Sequence, residues 1–188
     1  SDLMKIKKFY FKSINSTNDK AIKIIKKTQI KFGIIIAETQ KKGRGRYGKK
    51  WISIKGNLFM TIFFCLDKID KSLSELTKIN CELVKKVLSR YTKEKITIKS
   101  PNDLMIKKKK FCGILQETIN KSNKNFMIVG IGINLFKNPD ITNYPTTHLI
   151  EYSNIKITKG KIIRDLVDLY QKKLNDFISL KNLKDLKC

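Results

Sequence analysis

Two apolar runs constrain the fold most. "FGIIIAE" (32–38) and "NLFMTIFFCL" (57–66) are short and rich in β-branched and aromatic residues, so both read as buried strands. Between them lies "KKGRGRYGKKW" (41–51). Gly43, Gly45 and Gly48 fit G-x-G-x-x-G, while Gly43, Gly48 and Lys49 fit G-x-x-x-x-G-K. A dinucleotide-binding fold and a P-loop both need such glycines between a strand and a helix. Here the chain runs on as "WISIKGNLFMTIFF", extended and then strand. A P-loop also places Ser or Thr after its lysine to hold Mg2+, and Lys50 stands there instead. Both patterns therefore fail on context. What remains is a cationic loop in which Arg44, Arg46, Lys49 and Lys50 alternate with three glycines and Tyr47. Glycine permits close backbone approach, and arginine supplies forked donors for phosphate or carboxylate. Such a loop can fold over an anion, and is expected to be mobile until it does. A second G-x-G, in "IVGIGINL" (128–135), likewise has no helix after it.

The rest of the chain alternates between helical and extended patterns. A helix is expected over 16–30, with Ser16 and Asp19 as a capping box and Ala21, Ile24, Ile25 and Thr28 on one face. A second spans 72–91, opened by Ser72 and Glu75, and a third about 160–179. "KITIK" (95–99) alternates as a strand, "DLMI" and "FCGILQETI" form a hairpin about a lysine turn, and "FMIVGIGINLF" is a further strand. Residues 137–147 read as a polar loop, and "KNLKDLKC" (181–188) as a frayed tail. This order predicts an α+β fold: a mixed, largely antiparallel sheet with helices packed on one side, in one domain over 1–188.

Composition narrows the function classes. The 188 residues carry a net charge of +25, from 41 basic and 16 acidic side chains. A polyanionic partner fits this balance: nucleic acid, nucleotide or acidic protein. Lysine, isoleucine and asparagine are all abundant and arginine is scarce, so most lysines read as solvated surface. No apolar run approaches the ~20 residues of a membrane-spanning helix, and the basic start lacks the apolar core of a signal peptide, so a cytoplasmic location is expected. Cys65, Cys81, Cys112 and Cys188 are scattered, and His148 is the only histidine. That set argues against a zinc site, a disulfide framework, or a Ser-His or Cys-His nucleophile.

"GRGRYGKKW" is similar to the G-R-G-R-x-G-R-x-W loop of biotin protein ligases. Three further segments match that family in order. "STND" (16–19) resembles its S-T-N, "KSPND" (99–103) its K-W-P-N-D, and "KKFCGIL" with "GIGIN" its R-K-x-x-G-I-L and G-x-G-x-N pair. Together they cover 16–134. The resemblance implies a class II aminoacyl-tRNA synthetase-like catalytic domain. It would activate biotin with ATP and Mg2+ to biotinyl-5′-AMP, then pass biotin to a lysine of a biotin carboxyl carrier protein. The substrates supply the nucleophiles, which fits the lack of nucleophile motifs.

The same resemblance assigns Ser16, Thr17, Asn18 and Gln40 to the ureido ring, and Arg44, Gly45 and Arg46 to the biotin carboxylate and phosphates. Lys110 would bridge the carboxylate and the α-phosphate, and Arg44 would retain the acyl-adenylate. Trp51 would lie near the adenine, with Lys99, Asn102, Gly130, Gly132 and Asn134 also on the nucleotide. Asp103 would hold Mg2+ or orient the incoming amine. Two positions depart from the pattern: Ser100 replaces the Trp of K-W-P-N-D, and Lys49 replaces an Arg. No helix-turn-helix segment precedes residue 16 and no small β-barrel follows residue 180, so neither DNA binding nor the barrel's help with nucleotide or acceptor is expected. A homodimer is compatible with the sequence, and membrane association is not expected. Two rival readings remain: a lipoate–protein ligase of the same fold, whose R-R-x-x-G-G-G-type motif is missing, and a non-catalytic basic nucleic-acid binder.

Overall fold

The computed structural model describes residues 5–178. Strand β3 (Leu58–Cys65) is buried along its whole length, because both faces of the sheet it belongs to are covered. Its partners are β1 (Lys7–Ile14), β2 (Phe32–Gln40), β4 (Ile96–Lys99), β5 (Asp103–Ile106), β6 (Lys109–Lys121) and β7 (Lys124–Ile133). The order across the sheet is β1-β2-β3-β7-β6-β5-β4. Only β1 and β2 pair in parallel; the other neighbours are antiparallel. The α+β reading with a mixed, largely antiparallel sheet therefore holds.

The helices are α1 (Thr17–Lys27), α2 (Leu73–Leu88) and α3 (Lys159–Asp176). On one face, Ile34, Met60, Ile62, Met127, Val129 and Ile131 pack with Val84 and Val87 of α2 and Leu166 and Tyr170 of α3. On the other face, Ile35, Phe63, Phe126 and Ile128 pack with Ala21, Ile24 and Ile25 of α1. The expected placement of all helices on one side is thus corrected: α1 lies opposite α2 and α3. The reason is β1, which the sequence reading missed. A parallel pair needs a crossover connection, and α1 is that crossover, covering the face it traverses. "KKFYFKSI" gives a weak strand signal because an edge strand is half solvated, and here Phe9 and Phe11 alternate with Lys8, the exposed Tyr10 and Lys12.

Local signals explain most boundaries. Both arms of the Ser72–Glu75 capping box are made. At α1 only one is: Ser16 accepts from the Asp19 N–H, while the Asp19 carboxylate turns to Arg44 at 2.8 Å. Helix α1 ends at Lys27, short of the expected residue 30, and α2 runs into one 3-10 turn over Ser89–Tyr91. Two tight hairpins join β5–β6 and β6–β7 through Lys107–Lys108 and Ser122–Asn123, all four with positive φ, as two-residue turns of that hand require. Helix α3 ends at Asp176, short of the expected residue 179, and the 181–188 tail lies outside the described residues. Among the described residues no helix is long and apolar enough to cross a membrane.

The site is prepared by what the sheet leaves out. Gly113 pairs with Gly132, and Leu115 with Gly130, on adjacent strands β6 and β7. These positions share the α1 face by strand alternation, so beyond α1 that face is bare of side chains at Gly113, Gly130 and Gly132.

Candidate active site

The stripped face is filled by two side chains from other elements. The Trp51 ring lies against Gly113 and Gly132, where a Cβ would fall 2.7 Å and 2.6 Å from ring atoms. A Cβ at Gly130 would meet Asn18 Oδ1 at 2.4 Å. Gly130 and Gly132 were expected to admit a nucleotide to the strand backbone. Both line the cleft, and they also seat Asn18 and Trp51, with Gly113 as a third partner. Between these residues, loop 41–51 and β5 opens a cleft of about 410 Å³.

One end of the cleft is a polar cluster at the start of α1. Ser16, Thr17 and Asn18 are buried. Asn18 Nδ2 donates to Glu117 Oε1 at 2.9 Å and to the Leu115 carbonyl at 3.3 Å. The Thr61 hydroxyl lies 2.6 Å from Asn18 Oδ1 and 2.7 Å from Thr17 Oγ1. Having one proton, Thr61 donates to Asn18 and accepts from Thr17. The Thr17 N–H donates to Gln40 Oε1 at 2.8 Å, and Gln40 Nε2 to Ser53 Oγ at 3.1 Å. The four expected residues are therefore together, with Thr17, Asn18 and Gln40 cross-linked into one pre-set wall and Ser16 capping the helix beside them.

The arginines divide. Arg44 Nη1 and Nη2 donate to Glu117 at 3.2 Å and 2.8 Å, and Nη2 also meets Asp19 at 2.8 Å. The Glu117 hydrogen bond is the main reason the Arg44 guanidinium is held above its usual pKa, with partial burial opposing it. The fork expected to close over a ligand is thus already occupied, and only Nε is left as a buried donor without a partner. Arg46 lines the cleft, stacks on Tyr47 at 5.2 Å, and has no carboxylate partner among the described residues. Main-chain bonds from Gly45 N–H to Lys49 O and from Trp51 N–H to Gly43 O shape the loop between them.

Lys110 occupies the other end. Its Nζ is 3.1 Å from Asp103 Oδ1, 5.3 Å from the Trp51 ring centre and 5.4 Å from that of Tyr144. Main-chain bonds from Lys110 N–H to Pro145 O and from Thr147 N–H to Lys110 O lay the 137–147 loop along β6 and deliver Tyr144. Neither Tyr144 nor Glu117 was expected at the site. Lys49, Lys50, Lys99 and Lys108 complete a lining of seven cations with Arg44, Arg46 and Lys110, facing the single carboxylate of Asp103.

Two expected residues lie elsewhere. Asn102 Oδ1 accepts from Gln116 Nε2 at 3.3 Å and from the Cys81 thiol at 3.5 Å, on the α2 side. Gln116 follows cleft-lining Leu115, so alternation points it through the sheet, and Asn102 joins it there. Burial pushes the Cys81 thiol up to about 11, so it stays protonated at neutral pH. Strand β7 ends at Ile133, and with it the alternation that would carry Asn134 to the cleft. Asn134 instead donates to the Thr147 carbonyl at 3.2 Å and faces Asn57 in a buried loop junction.

A hollow on a bare sheet face, walled by cations at one end and by neutral polar groups at the other, defines a domain for a ligand that is anionic in part. The chain belongs to the biotin/lipoate A/B protein ligase family, whose pattern matches residues 10–134. It is 36% identical over 125 residues to the bifunctional ligase/repressor BirA of Escherichia coli strain K12, a match covering 65% of this chain and 38% of that protein. The chain spans between about a third and about half of the length of the curated relatives it matches. The solved biotin protein ligase of Aquifex aeolicus in complex with biotin and ATP superposes with a TM-score of 0.75 at 26% identity, over 92% of this chain and 72% of that one. The Leishmania major enzyme in complex with biotinyl-5-AMP shares the fold, with a TM-score of 0.78 at 20% identity over 95% and 79% of the two chains.

Proposed function

We propose that this domain joins biotin to AMP and then transfers biotin to a lysine of a carrier protein of the biotin carboxyl carrier class. The observation that carries the reading is the cleft's division of labour. A neutral polar wall of Ser16, Thr17, Asn18 and Gln40 suits a ureido ring, and the cationic end suits a carboxylate and phosphates. An apolar dithiolane would offer that wall no hydrogen-bonding group in return, which argues against the lipoate reading. A matched structure containing both biotin and ATP supports the same substrates here.

In the first step a biotin carboxylate oxygen bonds to the α-phosphorus as the bond to pyrophosphate breaks. In the second, a lysine amine attacks the acyl carbon, AMP leaves, and the amine releases its proton. The enzyme's task is to hold anions together and offset their repulsion. Lys110, fixed by Asp103 and two aromatic rings, is placed for that. Arg46 is the arginine free to follow the ligand's charge, and Arg44 contributes through Nε. Mg2+ binds through one or two carboxylates plus substrate phosphates, and Asp103, the cleft's one carboxylate, fits that donor set. When bound, it would draw charge from the phosphates.

Incubating the protein with ATP and biotin, with ATP and lipoate, or with ATP alone, and following pyrophosphate release, tests the proposal. Biotin-dependent release is the expected outcome. Release only with lipoate, or with neither, overturns it.

A further inference from the structure

Glu117 lies outside the motifs that carry the family resemblance, yet three donor groups converge on it. Arg44 Nη1 reaches Oε2 at 3.2 Å, and Arg44 Nη2 and Asn18 Nδ2 reach Oε1 at 2.8 Å and 2.9 Å. These donors come from the glycine loop and from the first turn of α1, while Glu117 stands on β6, two residues past Leu115 in the cleft wall. One carboxylate therefore ties together the three elements that build the site.

The loop's other ties are modest. Its root is held by Lys41 N–H to Ile14 O and Lys42 N–H to Asn15 O, three further main-chain bonds close it on itself, and the Trp51 ring seats its far end on Gly113 and Gly132. Arg44 is the one loop side chain paired with carboxylates among the described residues. Its arm to Glu117 is bidentate, which fixes direction as well as distance. The arm to Asp19 is weaker, because the Asp19 side chain is 50% exposed against 28% for Glu117.

We propose that Glu117 is a positioning residue: through Arg44 it latches loop 41–51 over the cleft and thereby sets how long a bound intermediate is kept from water. The latch is a property of this chain alone; its effect on an intermediate rests on the adenylation reading. It also explains why Arg44 and Arg46 differ. A post inside the protein holds the loop down through the first, and the ligand's charge falls to the second.

Amide exchange of residues 43–50 in the ligand-free protein tests the latch. Glu117→Gln keeps the shape but removes the charge, and Arg44→Lys keeps the charge but removes the fork. Each should speed loop exchange by about tenfold, and Asp19→Asn by less, with amides of β7 unchanged as the sign of an intact fold. The double variant should open the loop no further than either single one, since both break the same unit. With biotin and ATP, Glu117→Gln should lower kcat/KM for biotin at an unchanged thermal midpoint, and Glu117→Asp should recover part of the loss. Loop exchange unaltered in both Glu117→Gln and Arg44→Lys overturns the latch, whatever turnover does. An opened loop in proteins that release no pyrophosphate, wild type included, supports the latch and sinks the adenylation reading. Should Glu117→Gln not fold, Arg44→Lys decides alone.

Discussion

Strands β6 and β7 present two opposite surfaces, and the contrast between them locates function. Toward α2 and α3 they present Ile114, Met127, Val129, Ile131 and Ile133, packed and dry, with Gln116 as the polar exception bonded to Asn80 of α2. Toward α1 the intervening positions are Gly113, Leu115, Glu117, Ile128, Gly130 and Gly132; Ile128 packs against α1, and the space beyond is shared by Trp51, Asn18 and the cleft. The backbone is the same; one step along it exchanges packing for chemistry. The dry face follows the rule that buried surface stabilises in proportion to its apolar area. The other face breaks that rule, which glycines, a buried amide and cations at a cleft would not do for stability alone.

Substitutions should separate the two faces. The largest effect is expected for Lys110→Ala. Its side chain belongs to the cleft, where alanine gives up the Asp103 pair, while the main-chain bonds that hold the 137–147 loop are kept. Adenylation kcat should fall by about 10²–10³-fold, the cost of one placed charge-stabilising group, with biotin affinity and thermal midpoint little changed. Lys109→Ala, whose side chain does not line the cleft, is the control; a larger defect there would reverse the assignment. Leu166→Ala on α3 is the mirror experiment. Leu166 is fully buried among the residues of the dry face, so its truncation should cost about 2–5 kcal/mol of stability in urea unfolding. Turnover per folded molecule should be unchanged; a matching loss of turnover would mean that the faces are not independent.

Arg46→Gly should act more mildly and only on the cleft. With that guanidinium gone, the acyl-adenylate should escape, and labelling of lysines on an added bystander protein should rise by about tenfold. Equal labelling by wild type and variant would leave retention of the intermediate to the Arg44–Glu117 latch alone.

The sequence revealed the dry face more readily than the cleft, for physical reasons. Buried strands such as "TIFF" and capped helices such as that opening at Ser72 announce themselves through local composition and spacing. The side on which α1 packs did not, because it depends on the parallel edge strand β1, whose lysines and half exposure mimic a loop. At the site, the motif residues Ser16, Thr17, Asn18, Gln40, Arg44, Arg46, Trp51, Asp103 and Lys110 all reach the cleft. Asn102 and Asn134 do not, since a motif records identity and not the side of the sheet a residue faces. Glu117 and Tyr144 were illegible for a third reason. One is an ordinary polar position on a strand, and the other is delivered by main-chain bonds between distant segments.

The smallest predicted effect sharpens the comparison from the packed side. Between α2 and α3 the Tyr91 hydroxyl donates to Asp165 Oδ2 at 2.6 Å, with Lys161 at 3.5 Å and Arg90 at 3.7 Å from the same oxygen. The Tyr91 hydrogen bond is the main cause holding the Asp165 carboxyl below its usual pKa, and the two cations help against partial burial. A carboxyl whose folded pKa is depressed adds stability that is complete above its unfolded pKa of about 4 and is lost as pH falls through the folded value. Tyr91→Phe removes the chief cause. It should cost about 1–2 kcal/mol at neutral pH and flatten the loss of stability below about pH 4, because less remains to be lost. Cleft chemistry at pH 7 should not change, as Asp165 and Tyr91 lie outside the residues that line it. Urea unfolding of wild type and Tyr91→Phe at pH 3 and pH 7 measures both terms. Equal differences between the two proteins at the two pH values would show that Asp165 does not depend on Tyr91 for its charge.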